Sequence, residues 1–214
     1  MSATKTKHNV VEEIPTTTQY GNLQLAYDYF NEQLFDGKLA VCMITLRGQN
    51  KRCMGLFHAE QWQNHEEVKC HEIALTPCNL DRPLEDVFST LVHEMVHLWQ
   101  EDHGTPSRGG YHNKEWGAKM KEVGLYPSDT GKEGGKETGQ QMTHYVIPGA
   151  GFSVAFKDMP EYIKLPWIGV PLVEKEKKGK NKVKYVCACE DKVWGKPGLE
   201  IRCDTCGENF EEQG

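Results

Sequence analysis

The feature that most constrains this chain is a His-Glu-x-x-His motif inside its strongest helical pattern. Apolar residues recur at helical spacing over 84–95, directly after a proline that suits a first helical turn. His93 and His97 are therefore expected on one face of a helix, about 6 Å apart along its axis. Two histidines and a glutamate are costly to bury without a partner, and neutral imidazole is a preferred zinc ligand. The motif predicts a zinc site at which Glu94 deprotonates a water molecule.

A catalytic zinc site needs a third protein ligand, and two histidines are candidates for it. His103 follows His97 by six residues, the offset of an extended motif in which a glycine turns the chain back, but Gln100 stands at that glycine position. If the helix continues, His103 faces away from the metal. His112 lies beyond the Gly-rich turn 104–110 and opens the next helix, so a helix that folds back would bring it to the metal. We favour His112 and keep His103 as the alternative.

Three further residues are candidates for supporting roles. Glu115 stands three residues after His112 and could accept a hydrogen bond from a ligand imidazole, while an ordinary solvated glutamate is the simpler interpretation. His144 and Tyr145 could donate to the oxyanion of a peptide hydrolysis. A strand pair without a chemical role is an equally good interpretation of these last two residues.

A second metal site is predicted near the C-terminus from four cysteines in two close pairs, Cys187, Cys189, Cys203 and Cys206. Four thiolates in such pairs form a closed tetrahedral zinc site, which can fold a segment too short to build its own core. We therefore predict a zinc ribbon, with a redox pair as the alternative. The other four cysteines lack ligand spacing and are expected to be buried or free reduced thiols: Cys42, Cys53, Cys70 and Cys78.

The rest of the chain predicts an α+β domain that precedes this ribbon. A helical stripe starts at Leu23 and stops at Asp36-Gly37, and β-like runs at 41–46, 53–58 and 68–75 predict a small antiparallel sheet. The segment 142–156 is expected to be irregular or β. We divide the chain into four regions: a flexible tail (1–16), a core (17–126), an extension with a Lys-rich linker (127–184) and the ribbon (185–210).

Charge and composition limit the compartment and the partners. The 214 residues carry a net charge of −6, with no apolar run that could span a membrane and no signal-peptide pattern, so we expect a cytoplasmic protein. The run 175–184 holds six lysines and one glutamate, which makes it locally +5 and the rest of the chain −11. With Trp194 and Lys196 in the adjacent ribbon, this run could contact DNA phosphates and bases, and a solvated linker is the alternative.

These motifs together resemble the SprT-like family of zinc metallopeptidases, to which Spartan is related. The resemblance is carried by four stretches of sequence, FNEQLFDGKL (30–39), EIALTP (72–77), HEMVHLWQ (93–100) and HNKEW (112–116). A C-terminal zinc ribbon of this form resembles that of bacterial members. By this resemblance, His93, His97 and His112 match the family's zinc ligands, and Glu94 matches its catalytic glutamate.

The resemblance implies a minimal zincin-type α+β metallopeptidase with one catalytic and one structural zinc ion. Spartan-like members degrade proteins crosslinked to DNA, so we expect a protein substrate and DNA as a partner, with no membrane involved. Two alternatives stay open: a regulatory metallopeptidase that needs no DNA, and a non-catalytic, zinc-stabilised DNA-binding protein.

Overall fold

Two long helices form the framework of the N-terminal part of the chain. In a computed structural model the chain divides into two compact units, Met1–Pro171 and Leu172–Gly214, and both helices belong to the larger unit. The structure describes residues 14–48, 53–170 and 182–213. Helix α1 (Pro15–Phe35) begins inside the predicted tail, with proline in its first turn, and ends where Asp36 adopts a left-handed conformation. Helix α2 (Leu84–His103) carries the His-Glu-x-x-His motif and is buried along most of its length.

A three-stranded sheet packs beside α2. Its strands are β1 (Met43–Leu46), β2 (Gly55–Gln63) and β3 (Lys69–Leu75), in the order β1-β3-β2. The β2–β3 pair is antiparallel, as predicted, but β1 pairs with β3 in parallel, so the expectation of a wholly antiparallel sheet was wrong. Consecutive strands do alternate in direction, as short connections require, but β3 inserts between its two predecessors.

The second half of the larger unit returns the chain to α2 and α1. Helix α3 (Lys114–Glu122) leads into a two-stranded antiparallel sheet of β4 (Leu125–Ser128) and β5 (Thr143–Val146). Helix α4 (Gly151–Asp158) follows. The prediction that 142–156 is irregular or β holds for β5 and is wrong for α4. Phe152 of this helix stacks on Phe30 of α1 at 5.5 Å, a long-range contact that stabilises the short helix.

The small unit is a three-stranded antiparallel sheet in the order β7-β6-β8: β6 (Val183–Val186), β7 (Lys192–Gly195) and β8 (Glu211–Gln213). Tyr185 is its one large side chain that is fully buried among the described residues, beside the buried Cys187 and Cys203. So little apolar burial cannot stabilise a fold by itself. Most of the predicted Lys-rich run, residues 175–181, lies outside the described residues.

The mixed α+β class predicted from the sequence is confirmed, and the C-terminal cysteines form a cluster that could hold zinc. Within the described ranges, no helix combines the length and the apolar character needed to cross a membrane.

Candidate metal centre

Helix α2 presents the motif residues towards an open cleft. Its four-residue spacing sets the imidazoles of His93 and His97 side by side, with ring centroids 5.3 Å apart. His93 and Glu94 are 7% and 5% exposed, so both functional groups are largely removed from water. Buried polar groups of this kind need partners.

A pinned turn brings the third imidazole back to α2. Gln100 of α2 donates to Asn113 Oδ1 at 2.8 Å and to Glu115 Oε2 at 2.7 Å, and the Thr105 N–H donates to the same carboxylate oxygen at 2.7 Å. These bonds tie the end of α2 to the start of α3. His112 stands just before α3 and is therefore held over the motif helix.

The three imidazoles of the histidine cluster, His93, His97 and His112, each offer a ring nitrogen, and these atoms lie within 4.8 Å of one another. His112 Nδ1 lies 3.2 Å from the carbonyl oxygen of Gly139, which can only accept, so Nδ1 carries the proton and Nε2 keeps its lone pair. That Nε2 lies 3.0 Å from His97 Nε2. Two ring nitrogens turned towards each other in a buried site fit a shared metal ion.

Trp116 packs against all three rings of the histidine cluster. The indole is fully buried, and its centroid lies 5.0 Å from His93, 5.4 Å from His97 and 4.4 Å from His112. Because Asn113 caps α3 by accepting from the backbone N–H of Trp116 at 3.0 Å, the start of this helix fixes both Trp116 and the neighbouring histidine.

Burial keeps the imidazoles in the form that binds metal. It lowers the pKa of His93 well below its ordinary value, and burial followed by the neighbouring His112 ring lowers the pKa of His97 to about 3. The pKa of His112 is also lowered by burial. The three rings are therefore neutral at physiological pH, which is the state required of a zinc ligand.

Glu94 lies against the backbone of β2. Burial raises the pKa of its carboxyl group to about 8. A Cβ at Gly55 would stand 2.6 Å from Glu94 Oε1, so only glycine leaves room for the carboxylate in this position. A buried carboxylate with a raised pKa beside a set of metal ligands is suited to general base chemistry.

A cleft of about 980 Å³ opens onto these groups. One wall is the start of β2 with Gly55 and Phe57, the floor is α2, and the other wall combines the turn 106–112 with residues 140–144. Segments from four parts of the chain thus enclose the cleft.

Comparison with known proteins agrees with this geometry. The SprT-like family matches residues 23–135, which contain the histidine cluster and Glu94. The chain belongs to the SprT-like family. SprT-like domains are associated with zinc-dependent, metallopeptidase-like activity. The chain is also similar to an uncharacterised protein in the mucB 3' region of Salmonella typhimurium, with 50% identity over 42 residues. These residues are 20% of this chain and 55% of that protein, so the chain spans about half the length of its relative.

Two further candidate residues, His103 and Glu115, lie outside the histidine cluster. His103 is the exposed last residue of α2, with Nε2 3.2 Å from the Lys38 carbonyl oxygen, outside the histidine cluster. Glu115 accepts from Gln100 and Thr105, as described above, rather than from an imidazole. Glu115 is therefore neither the partner of a ligand ring nor an ordinary solvated glutamate, and it holds the turn that carries His112.

His144 and Tyr145 point to different surroundings. His144 lines the cleft, and its Nδ1 lies 3.1 Å from His93 Nδ1. Burial, followed by the charge of Arg82, lowers the pKa of His144 to about 4. Tyr145 stacks on Tyr126 across the β4–β5 sheet, with centroids 5.1 Å apart. Successive side chains of a strand point to opposite faces, so only His144 faces the cleft and only it can support the site.

The four cysteines of the small unit form a second cluster. Their sulfur atoms lie within 4.8 Å of one another, with Cys187 Sγ 3.1 Å from Cys189 Sγ. The backbone N–H of Cys206, and then that of Thr205, donates to the Cys203 sulfur. These hydrogen bonds lower the pKa of Cys203 and favour its thiolate. The set could hold a metal ion. Four other cysteines are free and partly buried, with Cys53 at the cleft: Cys42, Cys53, Cys70 and Cys78.

Four contributors to the site escaped the sequence analysis. Gln100 was noted only as a departure from a glycine pattern, yet it pins the turn before His112. Gly55 and Gly139 contact the site through their backbones, and no local pattern distinguishes them from other glycines. Asn113 could have been recognised, since an asparagine directly before a helix is a common N-cap.

Proposed function

We propose that this SprT-like protein is a zinc-dependent endopeptidase. The observation that carries the proposal is the convergence of three neutral imidazole nitrogens within 4.8 Å, beside a buried glutamate and at the base of an open cleft. In this proposal His93, His97 and His112 hold the catalytic zinc ion and leave a further coordination position free. When bound, zinc polarises the scissile carbonyl and lowers the pKa of its water towards roughly 7.

Glu94 moves the proton. A carboxylate oxygen of Glu94 takes a proton from the attacking water, and the same group then delivers it to the nitrogen of the leaving amine. Burial supports both steps, because a carboxylate taken out of water is a stronger base and can hold the proton between them. Gly55 keeps this carboxylate in place by leaving it the space that a Cβ would take.

The cysteine cluster is proposed to hold a second, structural zinc ion through Cys187, Cys189, Cys203 and Cys206. Four thiolates leave no open position, so this site stabilises a fold rather than performing catalysis. The small buried core of the unit favours this assignment, since a metal supplies the folding free energy that apolar burial does not. A chain with both sites filled carries about two zinc ions.

The substrates are proposed to be proteins associated with or crosslinked to DNA, in the cytoplasm. The described part of the ribbon supports DNA contact, because Trp194 is 62% exposed and pairs across the strands with Lys184. An exposed indole can stack on a base while nearby lysines contact phosphates. The DNA-independent peptidase and the non-catalytic DNA-binding protein are the alternatives to be separated by experiment.

The test is cleavage of a DNA-binding protein by the zinc-loaded chain, with the substrate free, on single-stranded DNA and on double-stranded DNA. We expect cleavage that DNA accelerates, and loss of at least about 10²-fold in rate with His112→Ala. His103→Ala is the matched control and should cleave like the wild type.

Each alternative has its own signature in this test. Equal rates with and without DNA would favour the regulatory peptidase. Tight DNA binding without cleavage of any substrate would favour the non-catalytic protein. Equal losses in the two histidine variants would contradict the assignment of His112.

A further inference from the structure

We propose that His144 is a positioning residue. It determines which ring nitrogen of His93 carries the proton, and so leaves the other nitrogen ready to bind metal. His144 lies on β5, outside the residues 23–135 that match the family. The inference rests on the proposed role of His93 as a zinc ligand and adds a residue that this role requires.

A continuous chain of hydrogen bonds runs from His93 to the backbone of α2. His93 Nδ1 lies 3.1 Å from His144 Nδ1, and His144 Nε2 lies 2.9 Å from Ser89 Oγ. Ser89 in turn donates to the carbonyl oxygen of Asp86 at 3.0 Å. The chain begins and ends on the same helix, and His144 is its one member from another element.

The direction of each hydrogen bond in this chain follows from the carbonyl acceptor at its far end. The Asp86 carbonyl can only accept, so it takes the Ser89 hydroxyl proton and leaves Ser89 Oγ to accept. His144 must then donate from Nε2, and a neutral His144 has a lone pair on Nδ1. This lone pair accepts the proton of His93 Nδ1, which leaves the lone pair of His93 on Nε2.

His112 receives an equivalent constraint from the same part of the chain. Its Nδ1 donates to the Gly139 carbonyl, so its lone pair is also on Nε2. The tautomers of His93 and His112 are thus both determined by partners within residues 139–144. This stretch is held by β4, whose Pro127 lies opposite His144. Partners of this kind fix ring orientation as well as tautomer, and their loss typically weakens metal binding about 10–100-fold.

The test is the zinc affinity of the full-length protein, measured by competition with a chromophoric chelator in variants that separate shape from hydrogen bonding. His144→Phe keeps a ring and removes both bonds, and we expect about 10–100-fold weaker binding at the histidine site. His144→Gln restores an acceptor for His93 and a donor for Ser89, so we expect affinity within about threefold of the wild type. His103→Phe makes the same chemical change at an exposed position and should alter nothing.

A second readout reports on the hydrogen bond itself rather than on the zinc affinity. In NMR spectra of the zinc-loaded chain, the proton on His93 Nδ1 should exchange slowly with solvent in the wild type and in His144→Gln. It should exchange fast in His144→Phe. If that variant does not fold, Ser89→Ala is used instead, because it removes the acceptor that orients His144, and it should show the same change with a smaller loss of affinity.

Two results would overturn the proposal. One is a His144→Gln variant that binds zinc as weakly as His144→Phe, because shape alone would then explain the loss. The other is unchanged affinity in His144→Phe with the His93 Nδ1 proton still protected. A wild-type chain that binds zinc with this dependence on His144 but cleaves no protein would contradict the proposed function and leave the positioning role standing.

Discussion

Replacing Gly55 by alanine should separate catalysis from metal binding. Gly55 starts β2, and a Cβ added to it would meet the Glu94 side chain. It is not among the glycines with positive φ, so alanine can adopt the same backbone conformation. The change therefore adds one methyl group against the proposed general base and leaves the strand unstrained.

The size of the effect follows from the contacts of the added methyl group. It would stand 2.6 Å from Glu94 Oε1 and 2.9 Å from Cγ, whereas ordinary contact begins near 3.4 Å. Because Cγ is crowded as well as the end of the chain, the whole side chain must move by about 0.8 Å. A misplacement of about 1 Å can cost about 10²-fold in rate, or about 2.7 kcal/mol of transition-state stabilisation.

The assay is kcat for cleavage of a protein substrate, measured together with zinc content and thermal unfolding. We expect Gly55→Ala to lose about 10²-fold in kcat with zinc content unchanged. Stability should fall by no more than about 1–3 kcal/mol, because the displacement of a buried side chain is partly offset by the restriction that alanine places on the unfolded chain. Gly21→Ala is the matched control, because Gly21 has no neighbour within 4 Å of an added Cβ. A Gly55→Ala enzyme with wild-type kcat would refute the position assigned to Glu94.

Three further predictions concern stability. Glu115→Gln should cost about 1 kcal/mol at pH 7 in urea unfolding. Hydrogen bonds from the Thr105 N–H, and then from the Gln100 amide, lower the pKa of Glu115 in the folded protein. The stability that Glu115 contributes is therefore fully present above the pKa of the unfolded state and is lost as pH falls through the pKa of the folded state. An equal loss of stability at every pH would contradict this. Gly124→Ala should cost at least about 2 kcal/mol in thermal unfolding, because φ is +92° and a Cβ would stand 2.7 Å from Phe152 N; wild-type stability would contradict the turn geometry. Cys203→Ser should lower the zinc content from about two ions to one and remove hydrogen-exchange protection from β6–β8 while α2 stays protected; unchanged zinc content would exclude the ribbon site.

Sequence alone is informative here where the chemistry is local. The spacing of His93 and His97 on an apolar helix determines their common face, and the apolar stripe predicted α2 correctly. The two cysteine pairs likewise carry their meaning in short spacings, and their sulfur atoms do lie together. In these cases the backbone geometry of one element, or of one short module, is enough to bring the groups together.

The rest depends on contacts between distant parts of the chain. The parallel pairing of β1 with β3 depends on the insertion of β3 between two earlier strands, and α4 depends on packing of Phe152 against α1. His144 lies 51 residues from His93, and nothing in the local sequence links the two. Tertiary packing therefore decided the residues that support the site and brought His112 to it, while local periodicity decided the common face of His93 and His97.

The most direct test of the account is the rate of peptide-bond hydrolysis by the zinc-loaded protein and by its Glu94→Gln variant at equal zinc content. The amide keeps the size of the side chain and removes its ability to take a proton. We predict that the variant binds zinc like the wild type and loses about 10²–10⁴-fold in kcat/KM. Equal cleavage by the two proteins would contradict the role of Glu94 as the general base, and with it the proposed peptidase mechanism.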